Sequence, residues 1–375
     1  MNKQVPFSSF VIKIASRCNL DCSYCYEYNM GDDSWKQMPK YMSIDVFEKI
    51  LYRIKEHSSI HDFSNISISL HGGEPLLVGH SLFTTYQEKI KEILPNHDLS
   101  VGIQTNGVLI DEEYVKIFEK YDVSIGVSLD GPPKVNDVFR FYHNKKGSGK
   151  DVENKLPLIQ NSDVFGGILC VINIDSDPLD IWHYLASFNP PVIDFLFPHA
   201  HWGNTTEKNE LAKIEQYGDW LICIFDDWFN GYKSEIRIRF FEEIIYRLFG
   251  QKGSLESLGV EEISLLTIGV NGQYEQVDTM KSVYPGANLT KLNIEEHSLN
   301  DVLEHKSIEA RQNGLLGLCG KCNDCEIVHV CGGGYYPHRF SHENEFMNPS
   351  VYCSALYKLI NHMKSVLINN LVKNE

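Results

Sequence analysis

Three cysteines lie close together near the start of the chain, at the end of an apolar run. Cys18, Cys22 and Cys25 have the spacing C-x3-C-x2-C within the stretch SRCNLDCSYCY. A zinc site takes four ligands, commonly in C-x2-C pairs, so three close thiols leave such a site incomplete. They suit an iron–sulfur cluster in which one iron stays open for an exogenous ligand. An open iron can be chelated by the amino and carboxylate groups of a methionine moiety, and the reduced cluster can pass one electron to an adjacent sulfonium.

The elements that must position these thiols alternate between short β-rich runs and helix-length segments as far as Pro198. The clearest helix, SIDVFEKILYRIKEH, begins after Ser43, which is typical of an N-cap. The alternation predicts an α/β fold with parallel strands and crossover helices, and six strands could form an open, partial barrel. Functional residues should then follow the carboxyl ends of the strands. The strand candidates are FVIKIA, NISISL, LSVGIQT, DVSIGVSL, GGILCVINI and VIDFLF.

Three further motifs stand where such strands should end. HGGEP (71–75) offers two glycines for close backbone approach and a carboxylate able to hold an ammonium, although a tight βα turn alone would explain it. QTNG (104–107) and SLDGP (128–132) follow the next two strands. Four motifs in order, each at the start of an expected βα loop, point to one site.

Together these motifs resemble the radical S-adenosylmethionine (SAM) superfamily, in which an aromatic residue, here Tyr24, precedes the third cysteine. The resemblance implies a 4Fe–4S cluster on Cys18, Cys22 and Cys25 that cleaves SAM to methionine and a 5′-deoxyadenosyl radical. It implies that GGEP binds the methionine amino group. Arg140 would reach the cofactor, with a surface salt bridge as the alternative. The implied cofactor-binding residues are Tyr24, Gly72, Gly73, Glu74, Pro75, Asn106, Ser128, Asp130 and Arg140.

The second group of cysteines resembles the SPASM extension of peptide-modifying members. In CGKCNDCEIVHVCGGGYYPHR the usual C-x2-C-x5-C-x3-C core has Tyr335 at its last position, and Cys353 fits a separate downstream cysteine. The resemblance therefore implies one complete set of four ligands for an auxiliary 4Fe–4S cluster. The set consists of Cys322, Cys325, Cys331 and Cys353.

The extension departs from the two-cluster pattern of the family. The segment LLTIGVNGQYEQVDTM contains no cysteine, and Val277 stands where one is expected, so we expect one auxiliary cluster. Cys319 is an extra thiol that is either a spectator or a replacement ligand. Zinc remains an alternative for the four-cysteine set, because C-x2-C is also a zinc spacing. Asp278 corresponds to a residue proposed as general base in sulfatase-maturing relatives, and a turn residue is the alternative.

The tail CGGGYYPHRFSHENEFMNPSVYC and the segment YEQVDTMKS look like a subgroup that forms three-residue cyclophanes in ribosomally made peptides. The resemblance implies abstraction of a Cβ hydrogen, followed by C–C bond formation to an aromatic ring. The auxiliary cluster would accept an electron and Asp278 a proton. Expected partners are a precursor peptide, with its leader added to a sheet edge, and a donor such as flavodoxin or ferredoxin. Because about ten residues precede the first strand, no fused leader-binding domain is expected.

Three other functions stay open at this stage. A sulfatase-type maturase would oxidise a cysteine or serine, but the missing cysteines near Gly272 count against it. A thioether-forming maturase would need a cysteine in its substrate. A non-catalytic role in zinc binding or redox sensing would explain the cysteines, but it would not explain the motifs at successive strand ends. His199 and His338 are expected only to line a substrate pocket.

Composition sets broader limits. The 375 residues carry a formal charge of −16, which argues against a nucleic-acid partner. No signal peptide or membrane-length apolar run is seen, so a cytoplasmic location is expected. Cys170 and Cys223 stand apart from the two cysteine groups, and we expect both to be small buried hydrophobic residues. The expected domains are a partial barrel (1–205), a helical bridge (206–260) and a SPASM-like region (261–375), the last with a hairpin at Asn271-Gly272 and a final helix.

Overall fold

The computed structural model describes residues 4–205, 208–233 and 235–373. The predicted partial barrel and SPASM-like region therefore include terminal residues (1–3 and 374–375) that lie outside the described ones, as do 206–207 and 234 of the predicted bridge. All six predicted strands and the predicted hairpin are present. The strands are β1 (Ser9–Ala15), β2 (Asn65–Gly72), β3 (Asp98–Thr105), β4 (Val123–Ser128), β5 (Phe165–Val171), β6 (Val192–Leu196), β7 (Arg237–Ile238), β8 (Leu265–Ile268), β9 (Gln273–Glu275) and β10 (Leu289–Asn293).

The helices follow the strands in the alternation that the sequence predicts. Short 3₁₀ helices connect several of them, including Pro75–Val78 after β2 and Asp278–Ser282 after β9. The α-helices are α1 (Ile44–His61), α2 (His80–Ile93), α3 (Glu112–Tyr121), α4 (Pro133–Asn136), α5 (Gly149–Lys155), α6 (Pro178–Ala186), α7 (Lys208–Phe229), α8 (Arg239–Leu248), α9 (Leu299–Leu303), α10 (Lys306–Gln312), α11 (Gly320–Asn323), α12 (Val328–Cys331) and α13 (Cys353–Lys373).

Two compact units make up the chain, and the first consists of residues 1–129, 133–168 and 263–310. Its sheet has the order β10-β9-β8-β1-β2-β3-β4. β1, β2, β3 and β4 are parallel to one another, with Ile12 opposite Leu70 between β1 and β2. Helix α1 begins after Ser43, whose side chain accepts the Val46 N–H as a sequence-predicted N-cap.

Alternate side chains fix the register of β1, since a slip of one residue would turn its apolar set to the opposite face. Phe10, Ile12 and Ile14 are buried, and α1 buries Phe47 and Ile50 in the same unit. Each such side chain stabilises the fold by about 1.5–3 kcal/mol relative to an exposed one.

The hairpin at Asn271-Gly272 is confirmed, but its first strand also extends the parallel sheet. β8 pairs in parallel with β1, with Ile268 opposite Ile12, and β9 then returns antiparallel. This pairing places residues 263–310 in the first unit, although the sequence groups them with the cysteine-rich region. The predicted division into a partial barrel, a helical bridge and a SPASM-like region stays a prediction.

The second unit consists of residues 130–132, 169–262 and 311–375. Its β6 and β7 pair in parallel, and the two long helices α7 and α13 pack together. Cys170 is buried as predicted, whereas Cys223 is exposed on α7, so the prediction of a buried hydrophobe is wrong for that residue. Among the described helices, none is long and apolar enough to cross a bilayer.

Candidate active site

The predicted motifs of the first unit meet at the carboxyl edge of its parallel strands. The cysteine loop starts three residues after β1, and HGGEP straddles the end of β2. Asn106 directly follows β3, and Ser128 is the last residue of β4. Because neighbouring parallel strands end at the same edge of a sheet, this is the edge where α/β folds place their ligands.

The two glycines of HGGEP bring its backbone against the chain that leads into the cysteine loop. Gly73 N donates to Ala15 O over 2.9 Å, and Glu74 N donates to Arg17 O over 2.9 Å. A Cβ on Gly73 would lie 2.6 Å from that Arg17 oxygen. Gly72 has φ of +131°, and a Cβ there would lie 2.0 Å from Ala15 O. Only glycine fits either position.

The Glu74 carboxylate ties the end of β2 to the end of β3. It is fully buried and accepts hydrogen bonds from Asn106 N (2.8 Å), Thr105 Oγ1 (2.7 Å) and Leu76 N (3.0 Å). Burial raises the pKa of Glu74, against the opposing effect of these donors. A carboxylate offers about four lone-pair positions, and three are already used. Glu74 thus holds the motif in place, while its contact with an ammonium group stays a prediction.

The three cysteines of the loop form one group of thiols. Cys18 Sγ accepts from Leu20 N over 3.4 Å and lies 3.7 Å from Asn106 Nδ2. Burial, followed by the Glu74 carboxylate, raises the pKa of Cys18, and burial together with Cys22 raises the pKa of Cys25 to about 12. A bound metal lowers such a pKa and deprotonates the thiol outright. Three neighbouring thiols beside the glycine turn of HGGEP fit an iron–sulfur cluster with an open iron.

Arg140 reaches the cysteine loop from the segment after α4. Its side chain is buried, and Nη1 donates to Tyr24 Oη over 2.8 Å. Ser23 N donates to Phe139 O over 2.9 Å, so the backbones of the two segments are also joined. Arg140 is buried and not on the surface, and its contact with the cofactor stays a prediction.

Two other predicted residues have structural partners. Ser128 Oγ accepts from Gln104 Nε2 over 2.9 Å at the ends of β4 and β3. Asp130 lies in the second unit, where its buried carboxylate accepts from Val171 N over 2.9 Å. The structure therefore groups Ser128 with the motifs of the first unit, and it gives Asp130 a partner at the end of β5.

Asp278 is buried in the first unit and bonded to the cysteine loop. Tyr26 Oη donates to Asp278 Oδ2 over 2.7 Å, and Thr279 N donates to Oδ1 over 3.0 Å. Burial alone would raise the pKa of Asp278, but Lys13, His71 and the Tyr26 hydrogen bond outweigh it and lower that pKa. A carboxylate that is ionised at neutral pH can accept a proton. The bond from Thr279 fits the turn alternative, and the role of Asp278 as a base stays a prediction.

A buried charge network surrounds Asp278. Lys13 Nζ lies 2.9 Å from Glu275 Oε2 and 4.0 Å from Asp278 Oδ2, and it also pairs with Glu27. Lys281 Nζ donates to the other Glu27 oxygen over 2.7 Å. Two lysines thus face three carboxylates, all shielded from water. Removing either partner of such a pair leaves an uncompensated buried charge.

Most of this network is not predicted by the sequence motifs. Lys13 interrupts the apolar strand FVIKIA. A lysine between apolar residues on a strand needs a buried partner, so this position is a sequence signal for the charge network. Tyr26 and Glu27 directly follow Cys25, which is the second signal. His71 was given no role, yet its Nδ1 lies 3.8 Å from Asp278 Oδ2.

The second unit holds the other cysteine set. All four predicted ligands line one cavity of about 810 Å³, namely Cys322, Cys325, Cys331 and Cys353. Burial, together with neighbouring thiols, raises the pKa of Cys322 and of Cys331 to about 12. Cys319 stands beside Cys322 and adds to the rise of its pKa. Four thiols around one cavity fit a cluster bound through all its irons.

Neither cysteine set converges on a point. Within the described ranges, no three or more His, Cys, Asp or Glu side chains come close enough to hold a single metal ion. A cluster of four irons does not require this, because each thiolate binds a different iron.

Known proteins match nearly the whole chain. Residues 12–178 match the sequence profile of the Radical SAM superfamily. The serine-type anaerobic sulfatase-maturating enzyme of Bacteroides thetaiotaomicron is 24% identical over 382 aligned positions, which cover 96% of this chain and 89% of that protein. The cysteine-type anaerobic sulfatase-maturating enzyme of Clostridium perfringens strain 13 is also 24% identical, with 97% and 98% covered.

A solved structure extends the likeness to the fold. Native anSMEcpe with bound AdoMet and the Cp18Cys peptide superposes with a TM-score of 0.81 at 22% identity, covering 98% of this chain and 99% of that one. The predicted fold class is confirmed: an α/β fold of the partial (βα)6 barrel type with a mostly parallel sheet, followed by a C-terminal helical extension.

Proposed function

We propose that the chain is a radical SAM enzyme that modifies a ribosomally made precursor peptide, because residues 12–178 match the Radical SAM profile and sulfatase-maturating enzymes match nearly its full length. One observation carries the proposal. The cysteine loop, the GGEP turn and Asp278 lie at the carboxyl side of one parallel sheet, and the Tyr26–Asp278 hydrogen bond joins the loop to the candidate base. The peptide bound in a similar solved structure, anSMEcpe with the Cp18Cys peptide, supports a peptide substrate.

The family uses a 4Fe–4S cluster and S-adenosylmethionine, and together they supply removal of one hydrogen atom from a substrate carbon. Cys18, Cys22 and Cys25 would hold this cluster. Gly72 and Gly73 let the GGEP turn pack against Ala15 and Arg17 beside the cysteine loop, where the turn would bind the methionine end of the cofactor. Arg140 would hold the loop in place through its hydrogen bond to Tyr24.

The second cysteine set would hold one auxiliary 4Fe–4S cluster. Its four thiols surround one cavity, and Val277 replaces the cysteine that a second auxiliary cluster would need. Cys319 would remain a spectator beside Cys322.

We place the new bond between the Cβ of one residue and the ring of an aromatic residue two places before it, as in three-residue cyclophanes. The substrate loses two hydrogens. One leaves as a hydrogen atom with the cleaved cofactor, and the other leaves the ring as a proton plus one electron. Asp278, ionised and facing Tyr26, would take the proton, and the auxiliary cluster would take the electron. The protein then determines which C–H bond is exposed to attack.

Oxidation of a serine or cysteine is the second candidate. It rests on the sulfatase-maturating relatives, which match nearly the full length of the chain. The chain differs by having no cysteine between residues 265 and 280.

High-resolution tandem mass spectrometry on the precursor peptide encoded beside this gene tests the proposal. The peptide would be co-expressed anaerobically with the chain, with flavodoxin as reductant. We expect a loss of two hydrogens per site and no fragmentation inside an aromatic-x-x segment. The matched control is the variant Cys18→Ala, Cys22→Ala, Cys25→Ala, which should leave the peptide unmodified.

Other products would separate the candidates. A two-hydrogen loss located at a serine or cysteine would support the sulfatase-type reaction and contradict crosslinking. A thioether would show as a bond from a cysteine sulfur to another residue. Modification that survives in the triple alanine variant would refute the radical mechanism.

A further inference from the structure

Arg339 is a buried cation in the second unit whose charge is not used by the proposed reaction. It is 9% exposed and ends the 3₁₀ helix Tyr336–Arg339. Its Nη2 donates to Gly332 O (2.6 Å) and Gly334 O (2.7 Å), and Nε donates to Gly334 O (3.2 Å). All these partners are neutral carbonyls. Among the residues that the structure describes, no carboxylate oxygen lies within 4.0 Å of this guanidinium.

The groups that can balance this charge are thiols. Burial lowers the pKa of Arg339, and the neighbours that oppose this are chiefly Cys331 and Cys322. A buried cation without a counter-charge is costly. Arg339 binds the carbonyls on either side of Gly333, which lines the cysteine cavity, so negative charge in that cavity would offset the cost.

The glycine loop after Cys331 is shaped to present its carbonyls to Arg339. Gly332, Gly333 and Gly334 all have left-handed φ values of +60°, +77° and +71°. A Cβ on Gly332 would lie 1.6 Å from Gly259 O, so the loop also packs tightly against a neighbouring turn. The sequence CGGG thus lets the backbone bend around the guanidinium immediately after a cluster ligand.

We propose that Arg339 is a positioning residue that supplies the buried counter-charge of the auxiliary cluster and raises its reduction potential. The inference rests on the proposed auxiliary cluster. Four thiolates give the cluster net negative charge, and reduction adds one electron. A nearby cation stabilises the reduced form more than the oxidised form, and it does so strongly where water is excluded. A cluster tuned upward in this way is a better acceptor for the electron that leaves the substrate.

Lys321 provides a matched control. It lines the same cavity and acts on Cys353, but it is exposed to solvent. Water screens its charge, so removing it should change the potential far less than removing a buried charge of the same sign.

The test is an EPR-monitored potentiometric titration of the auxiliary cluster in the full chain. Cys18, Cys22 and Cys25 are changed to Ala in every sample, so that only this cluster contributes, and iron content is measured first. We expect Arg339→Met to lower the reduction equilibrium constant at least tenfold, which is about 59 mV for one electron. Arg339→Lys, which keeps the charge, and Lys321→Met should each change it less than about threefold.

An Arg339→Met cluster with unchanged potential would overturn the inference, as would an equal shift in Lys321→Met. If Arg339→Met loses its iron, Arg339→Lys decides. A reduction potential near that of the parent supports the charge role. A tenfold fall in the reduction equilibrium constant would show instead that the hydrogen bonds of Arg339 to the Gly332 and Gly334 carbonyls control the potential. A parental chain without iron in this cysteine set would refute the proposed auxiliary cluster itself, which is a different failure.

Discussion

Tyr26 donates a 2.7 Å hydrogen bond to Asp278, although 252 residues separate them in the chain. Tyr26 directly follows the last cysteine of the first cluster loop, and Asp278 follows the hairpin strand β9. The pairing of β8 with β1 makes this contact, because it returns a late segment of the chain to the edge where the loop begins. The candidate base is therefore fixed to the loop that would generate the radical.

Replacing Asp278 with Asn should separate peptide modification from cofactor cleavage. The amide keeps the shape but cannot take a proton, so we expect modification to slow by about 10²–10⁴-fold. 5′-Deoxyadenosine should still form. Glu275→Gln is the matched control, since Glu275 shares Lys13 with Asp278 and its replacement removes an equal charge from the network. Peptide modification at the parental rate in Asp278→Asn would contradict the base role.

Lys13→Met should destabilise the first unit. It removes the cation that pairs with Glu27 and Glu275, and breaking a buried ion pair costs about 3–5 kcal/mol. Denaturant unfolding of the apoprotein measures this cost. The double variant Lys13→Met, Glu275→Gln should recover part of it, because it removes the carboxylate that loses Lys13, whereas Glu27 keeps its pair with Lys281. Equal stability of the single variant and the parent would show that the network contributes nothing.

The same lysine should also govern the acid limb of the pH–rate profile. After burial, which raises the pKa of Asp278, Lys13 is the main influence on that pKa, and it lowers it. In Lys13→Met the base will therefore be protonated at higher pH, and the rate will begin to fall at a higher pH than in the parent. An acid limb at an unchanged pH would contradict the assignment of this limb to Asp278.

Gly73→Ala should damage the cofactor edge of the sheet. The added Cβ would lie 1.8 Å from Tyr28 Oη and 2.6 Å from Arg17 O, and the backbone oxygen cannot move away freely. We expect a loss of about 1–3 kcal/mol in unfolding free energy and much weaker SAM binding. Gly102→Ala on β3 is the control, because its Cβ would be 3.4 Å from the nearest atom, Ser124 O. Normal SAM binding by Gly73→Ala would show that the close packing of Gly73 against Arg17 is not needed for cofactor binding.

His57 should make the first unit acid-labile. It accepts from Phe7 N and contacts Asn300, and burial, followed by His61, lowers its pKa from 6.5 to about 4. Between these pH values the unfolded chain binds a proton that the folded chain does not, so stability falls as pH decreases through this window. His57→Gln should flatten that slope, whereas replacing the exposed His342 with Gln should not. Identical slopes in the parent and His57→Gln would be the contrary result.

Much of the fold follows from local patterns. Strand and helix types were predictable because period and capping signals are local, as at Ser43 and at the Asn271-Gly272 turn. The pairing of β8 with β1 was not predictable, since a four-residue strand carries no information about its partner. The charge network was missed for the same reason: Lys13 meets Glu27, Glu275 and Asp278 only after that pairing forms.

The candidate site divides in the same way. Cysteine spacing pointed to both thiol groups, and the structure brings each group together. The role of Glu74 could not be read from its type, because its oxygens are occupied by donors from the next strand end. Arg339 gave no signal in the sequence, since its partners are backbone carbonyls of a glycine loop.

Deuterium transfer tests the central claim most directly. The precursor peptide would be prepared with deuterium at the Cβ of the modified residue, and the 5′-deoxyadenosine formed would be analysed by mass spectrometry. We predict that the 5′-deoxyadenosine gains one deuterium in step with peptide modification. The Cys18→Ala, Cys22→Ala, Cys25→Ala variant should form no 5′-deoxyadenosine. Modified peptide accompanied by 5′-deoxyadenosine without deuterium would contradict hydrogen abstraction from that carbon.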